Sequence, residues 1–225
     1  MEESERKALT IIFNTNKTVF EAQKSNRHRL NSMGNINQSR YDRLENISIA
    51  PFNDPLYSLK NEMENLLMFS SEYMGFLSDI EAINIYDSAE LIVEIGDIRR
   101  FKNRNNFLSY AGLSPVVKNK NRYSKVKKYN HGVIVAGRKQ DPIDYCEDLK
   151  KAIVRCTSKL INTNYEYNKY YEDCKTSYQY KHPRYNKKRI HLMALKKTSV
   201  LFAKRVYHEF KKVADIEDEM VYYDE

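Results

Sequence analysis

AELIVEIGDIRRFKNRNNFLSYAGLSP, residues 89–115, sets an apolar run, a turn and a basic cluster side by side. Leu91, Ile92, Val93 and Ile95 form the run, and Gly96 follows where the C-terminal cap of a helix favours a residue able to take positive φ. Asp97 then stands where its carboxylate can cap the next turn, and Phe101, Phe107 and Leu108 supply the apolar side of a second short helix. Gly112 and Pro115 punctuate its end. Working outward, Leu56, Leu59, Met63, Leu66, Ser70, Tyr73 and Leu77 recur at spacings of three and four. That series predicts a helix over 56–77 paired with another helix, either from residues 1–30 or from a second copy of the chain. Residues 1–30 read as helix, with Leu9, Ile12, Phe13, Val19, Phe20 and Leu30 among polar neighbours. Gly34, Pro51 and Pro55 interrupt a polar segment, so 31–55 is expected to be a flexible loop.

Downstream of Pro115, VVKNKNRYSKVKKYNHGVIVAGRKQDP reads as an extended loop or a small hairpin, with Gly132, Gly137 and Pro142 as breakers. Residues 144–174 return to helix, TSYQYKHPRYNKKR (176–189) reads as a linker, and 190–212 forms a last long helix with Leu192, Leu195, Ser199, Phe202, Val206 and Phe210 in register. The acidic tail 213–225 is placed to shield a basic surface.

Charge is segregated along the chain. The net charge is +8, yet 98–140 contains no acid and twelve basic residues, and 174–208 contains no acid and ten. Outside these two stretches 16 basic residues face 30 acidic ones, a balance of −14. Such separation points to a polyanion partner. The candidate contacts are Arg99, Arg100, Lys102, Arg104, Lys118, Lys120, Arg122, Lys125, Lys127 and Lys128 in the first stretch, and Lys187, Lys188 and Arg189 in the second. With 41% hydrophobic and 30% charged residues, no apolar run approaches membrane-spanning length. MEESERKA lacks the basic start and apolar centre of a signal peptide, so a cytoplasmic protein is expected. Cys146, Cys156 and Cys174 form no Cys-x-x-Cys pair and read as buried free thiols. His182 and His191 have no partner at metal spacing and read as surface groups or phosphate contacts.

The 89–115 unit resembles the signature of the insertion-sequence 110/116/902 family of bacterial transposases. The shared positions are Ala89, Leu91, Glu94, Ile95, Gly96, Asp97, Arg100, Phe101, Leu108, Tyr110, Ala111, Gly112, Leu113 and Pro115. Asn26, Arg27, Arg29 and Leu30 resemble the end of a family helix, and Leu149 to Ile153 resemble the start of another. The resemblance implies a mainly α fold in which a helical-hairpin or coiled-coil extension (1–78) precedes a compact DNA-binding domain (79–212) with a helix-hairpin-helix-like unit. It also implies a homodimer through the 56–77 helix. Where the family has an Ile-Pro-Gly-Ile-Gly turn that offers backbone N–H groups to phosphate, this chain has Ile80, Glu81, Ala82, Ile83 and Asn84.

The family reaction is phosphoryl transfer through a serine–DNA link, guided by structured RNA and using magnesium held by an N-terminal nuclease domain. No such domain is recognisable here, and no cofactor is expected in this chain. The position of the family's nucleophilic serine is taken by Lys120, followed by Asn121, and Ser124 is the only nearby aliphatic hydroxyl. Ser124 is therefore the candidate nucleophile, with a phosphate contact or plain exposure as the other readings. The expected function is that of a DNA-binding transposase C-terminal domain, or else an inert DNA- or RNA-binding module descended from one. Whether it acts as an enzyme stays open.

Overall fold

The computed structural model describes residues 3–33, 37–114, 125–130, 133–138 and 145–223. The architecture is mainly α. Helix α1 (Glu3–Asn31) runs alongside α3 (Asn53–Met68), with α2 (Gln38–Ser48) between them in sequence. Then come α4 (Ile85–Ile95), α5 (Arg104–Tyr110), the strands β1 (Lys125–Asn130) and β2 (Val133–Arg138), α6 (Glu147–Thr163), α7 (Tyr165–Lys181) and α8 (Lys187–Tyr223). The strands pair antiparallel, Lys125 opposite Arg138 and Asn130 opposite Val133, so the small-hairpin reading holds.

The 89–115 stretch sits at the centre of the core. Leu91, Ile92 and Ile95 on α4, Ile98 on the turn, and Phe107, Ala111 and Leu113 around α5 are almost wholly inaccessible to solvent. They share one cluster with Leu9 and Phe13 of α1, Met63 and Leu67 of α3, Leu149, Ala152 and Ile153 of α6, and Phe202, Val206 and Phe210 of α8. Phe107 meets Phe101 edge-on at 5.3 Å between centroids and Tyr207 at 5.6 Å, tying α5 to α8. Cys146 N–H donates to the Tyr110 carbonyl at 2.8 Å, which ties the start of α6 to the end of α5.

Gly96 ends α4 with φ 61° and ψ −138°, a conformation strained for any residue with a Cβ. Gly96→Ala is expected to lower stability by about 1–3 kcal/mol, read as an earlier midpoint in urea unfolding.

Five expectations need correction. Residues 31–55 are not a loop throughout. Asn37 accepts from Arg40 N–H at 3.0 Å and starts α2, which buries no residue of its own and so leaves no apolar period to read. The heptad series does not make one helix to residue 77. It stops at Met68, because Ser70 turns its hydroxyl to accept from Tyr73 N–H and donate to Glu72, and a single π-helical turn (Tyr73–Leu77) follows. Residues 144–174 divide at Asn164, whose side chain accepts from Glu166 and Tyr167 N–H to begin α7. The linker at 176–189 is helical up to Lys181, and only residues 182–186, around Pro183, separate α7 from α8. The last helix continues through much of the tail to Tyr223.

Met63 and Leu67, the inner positions of the heptad series, are buried against α1 of the same chain. That settles the pairing left open in sequence for this seam, and it leaves Tyr57, Met68 and Phe69 exposed. Arg6 of α1 donates to the buried Glu72 at 2.9 Å and pins the helix pair to the turn that follows α3.

Candidate nucleic-acid interface

The turn between α7 and α8 is built by Pro183, which cannot continue a helix, and by Asn186, whose side chain accepts from Arg189 N–H at 2.8 Å and caps α8. Around it rings and cations are layered. The Tyr178 and His182 rings stack at 6.5 Å, His182 and Tyr185 lie 4.7 Å apart and 9° from parallel, and the Arg189 guanidinium sits 3.9 Å above Tyr185. Lys181, Arg184, Lys187, Lys188 and Arg189 are exposed here, and none of them forms an ion pair with a described carboxylate. Tyr180, beside them, is 88% exposed. A concavity of about 380 Å³ adjoins the turn, lined by Tyr171, Lys175, Lys187 and His191. The Tyr171 hydroxyl is hydrogen-bonded to His191 Nδ1, and burial raises the phenol above its ordinary pKa, so it stays protonated. Lys175 is held by Glu172 at 2.9 Å.

A second basic site lies on the 89–115 unit. Asp97 caps the 3-10 turn Ile98–Arg100 by accepting from Arg99 N–H, and it also pairs with the Arg99 guanidinium at 3.1 Å. Partial burial would raise the Asp97 carboxyl, but the hydrogen bonds and charge of Arg99 outweigh it and the pKa falls below the usual value. Arg100 lies across the Phe101 and Tyr110 rings at 4.7 and 4.6 Å and donates to the Glu94 carbonyl, so part of its capacity is spent locally. Asn103 caps α5, and Lys102 and Arg104 stay exposed. A hollow of about 280 Å³ joins Asn103, Arg104 and Asn105 to Lys204, Tyr207 and His208 of α8. The two acid-free stretches therefore meet at this hollow. Lys187 and Lys204 are 17 residues apart on one helix, which separates the two basic sites by roughly 25 Å at 1.5 Å rise per residue.

Lys125, Lys127 and Lys128 fall on β1. Lys118, Lys120, Arg122 and Ser124 lie outside the described residues.

Sequence reasoning passed over an ionic cluster between α4 and α6. Asp87, almost wholly buried, accepts from Arg155 Nε at 2.8 Å and from Lys159 Nζ, while Glu90 accepts from the Arg155 fork. The signal lay in spacing, since carboxylates three apart on one helix face cations four apart on the other. Asp87 also completes a capping box with Asn84, accepting from its N–H while Asn84 accepts from Asp87 N–H at 2.9 Å. The Asp87 N–H in the first turn of α4 is thus engaged by the chain's own Asn84, and the buried Asp87 carboxylate lies just after the segment 80–84. Among the described residues no group of three or more His, Cys, Asp or Glu side chains is placed to hold a metal ion. Asp87 and Glu90 spend their oxygens on Arg155 and Lys159, a poor donor set for magnesium. All three cysteines are free; Cys156 and Cys174 are buried, and Cys146 is half-buried with its thiol toward Glu94. Burial pushes the Cys156 thiol up to about 12. No described helix is long and apolar enough to cross a membrane.

No curated protein matches the chain. A family model described as transposase IS116/IS110/IS902 family matches residues 74–172, from the π-helical turn to the middle of α7. That span takes in the α4–α5 unit with its glycine-ended helix and Asp97 cap, and the α6 helix clamped onto it. Over residues 74–172, a little less than half of its length, the chain is similar to the IS116/IS110/IS902 transposase family.

Proposed function

We propose that this chain binds DNA as the phosphate-gripping part of a transposase, holding the backbone along α8 between the α7–α8 turn and the hollow beside α5. The observation that supports it is the group of exposed cations without carboxylate partners, Lys181, Arg184, Lys187, Lys188 and Arg189, set against the stacked rings of Tyr178, His182 and Tyr185. Cations already paired in the free protein gain little from phosphate. These five lose only water and counterions, and counterion release makes binding fall with salt. Affinity for a duplex of about 20 base pairs, measured by fluorescence anisotropy, is expected to drop by about 10³ or more between 50 and 200 mM salt if six phosphates are contacted. A flat salt dependence would sink the reading. A structured RNA of equal charge, run as competitor, ranks the two polyanions.

Chemistry is assigned to Ser124 within this reading. Its hydroxyl oxygen would attack a DNA phosphate, forming a serine–phosphate ester as one phosphorus–oxygen bond to a deoxyribose breaks, with the departing sugar oxygen leaving as a hydroxyl that takes up the proton, in keeping with the family's serine-dependent reaction. Strand exchange that vanishes in Ser124→Ala supports the enzyme, and the same exchange in both proteins removes Ser124 from the reaction. Binding with no exchange in either favours the inert module, which the capped start of α4 and the neutralised Asp87 and Glu90 also favour. A dimer along α3 would use Tyr57 and Met68, since Met63 and Leu67 are buried within the chain.

A further inference from the structure

A cleft of about 610 Å³ opens where α1 and α3 meet the α4–α6 clamp, well away in sequence from both basic sites. Phe13, Phe20, Leu56 and Tyr86 give it apolar walls, and Asn16, Gln23 and Asn53 contribute primary amides. Two features mark it as a binding site rather than a packing defect. Asn16 is 5% exposed, and its Nδ2 is buried without any hydrogen-bond partner, a donor waiting for an acceptor. Phe20, by contrast, is 51% exposed on the cleft wall, an aromatic face that the protein leaves uncovered.

The charges narrow the ligand. Arg155 and Lys159 are offset by Asp87 and Glu90, and Lys17 pairs with Asp148 at 3.3 Å. The interior is therefore close to neutral, which disfavours a polyphosphate and suits a flat, uncharged group with hydrogen-bonding edges. The volume falls within the range of small-ligand sites, roughly 300–1,000 Å³. A lone apolar side chain would leave the Asn16 donor unsatisfied. An unpaired nucleobase stacks on rings and offers carbonyl and ring-nitrogen acceptors to carboxamides.

We propose that this cleft takes an unpaired nucleobase from a DNA or RNA strand. The inference rests on the nucleic-acid reading above and adds a second, single-stranded contact to it. Phe20 and Tyr86 are the stacking surfaces, Asn16 donates to a base acceptor, and Gln23, hydrogen-bonded to Asn53 at 2.8 Å, borders the same space. The sugar and phosphates stay outside, in water.

The test uses ten-nucleotide single strands carrying one 2-aminopurine, in DNA and RNA versions, beside a fully paired duplex of equal length. The unmodified protein is expected to quench the 2-aminopurine on binding, because stacking on a ring quenches it. Phe20→Ala, at an exposed helical position, is expected to keep the melting temperature, weaken single-strand binding about tenfold and leave duplex binding within about twofold. Asn16→Leu removes the unsatisfied donor, so it is expected to melt no lower than the parent and to narrow the spread of affinities among the four homopolymer strands. Equal loss on strand and duplex, or no loss on either, overturns the cleft as a base site. Salt-sensitive duplex binding without quenching overturns it too and leaves the backbone reading intact. Failure to bind any nucleic acid overturns both. Whichever strand is quenched more, DNA or RNA, identifies the source of the base.

Discussion

Replacing Lys187, Lys188 and Arg189 together with glutamate is expected to weaken duplex binding about a hundredfold or more at 100 mM salt, and to lower the slope of log affinity against log salt by about 3. The three side chains stand on the first turn of a helix that continues for 37 residues, where the backbone already presents its positive end. Each substitution removes one attraction and adds one repulsion. The fold should survive, because acids in the first turn suit the helix dipole and Asn186 keeps its cap on Arg189 N–H through the backbone alone. The loss of the Arg189 contact with Tyr185 costs about 0.5–1 kcal/mol at an exposed site, too little to unfold the turn. Lys7→Glu, on the first turns of α1 where Glu3 pairs with it, reverses one charge against three in the triple variant; compared per charge reversed it is the control and should change affinity by less than about twofold. If both proteins lose affinity alike, the effect is one of net charge and the α7–α8 turn is no site. Unchanged affinity in the triple variant would remove the turn from the interface altogether.

The parts legible in the sequence were those governed by local chemistry. Gly96 announced a positive φ, Asp97 a capped turn, and the apolar positions from Leu91 to Leu113 a core, and all three hold because each depends on neighbours within a few residues. The acid-free stretches were legible as composition, and in the second of them the cations do stand free of described carboxylates at the α7–α8 turn. What escaped either broke a period locally, carried no apolar period, or depended on a partner distant in sequence. The seam from Leu56 to Leu77 had the right period for a helix, but the hydroxyl of Ser70 broke it by bonding to its own loop. Helix α2 has no buried side, so it carried no period to find. The Asp87–Arg155 clamp spans 68 residues, and neither end is unusual when read by itself. Asn16 looked like one polar residue among many on α1, and only the cleft shows that its amide lacks a partner.

The clamp between α4 and α6 should show a marked asymmetry when it is cut from either side. Asp87 and Glu90 have side chains only 3% and 11% exposed, while Arg155 and Lys159 are 44% and 35% exposed. Removing the acid frees cations that water can reach, so Asp87→Ala is expected to cost about 2 kcal/mol, much of it the lost capping box on Asn84. Removing both cations leaves two little-exposed carboxylates without their cationic partners, and Arg155→Ala combined with Lys159→Ala is expected to cost about 4 kcal/mol, near the range for a broken buried pair. In a chain of this length that difference separates the melting temperatures by several degrees. Adding Asp87→Ala to the double variant should then recover part of the loss, since it takes away one stranded charge; two independent effects would only add. Urea unfolding of the three proteins measures this directly. Equal costs from both sides, or simple additivity, would mean that the cluster is solvated and that α4 is held to α6 by apolar packing alone, in which case the cleft beside it has a wall free to move.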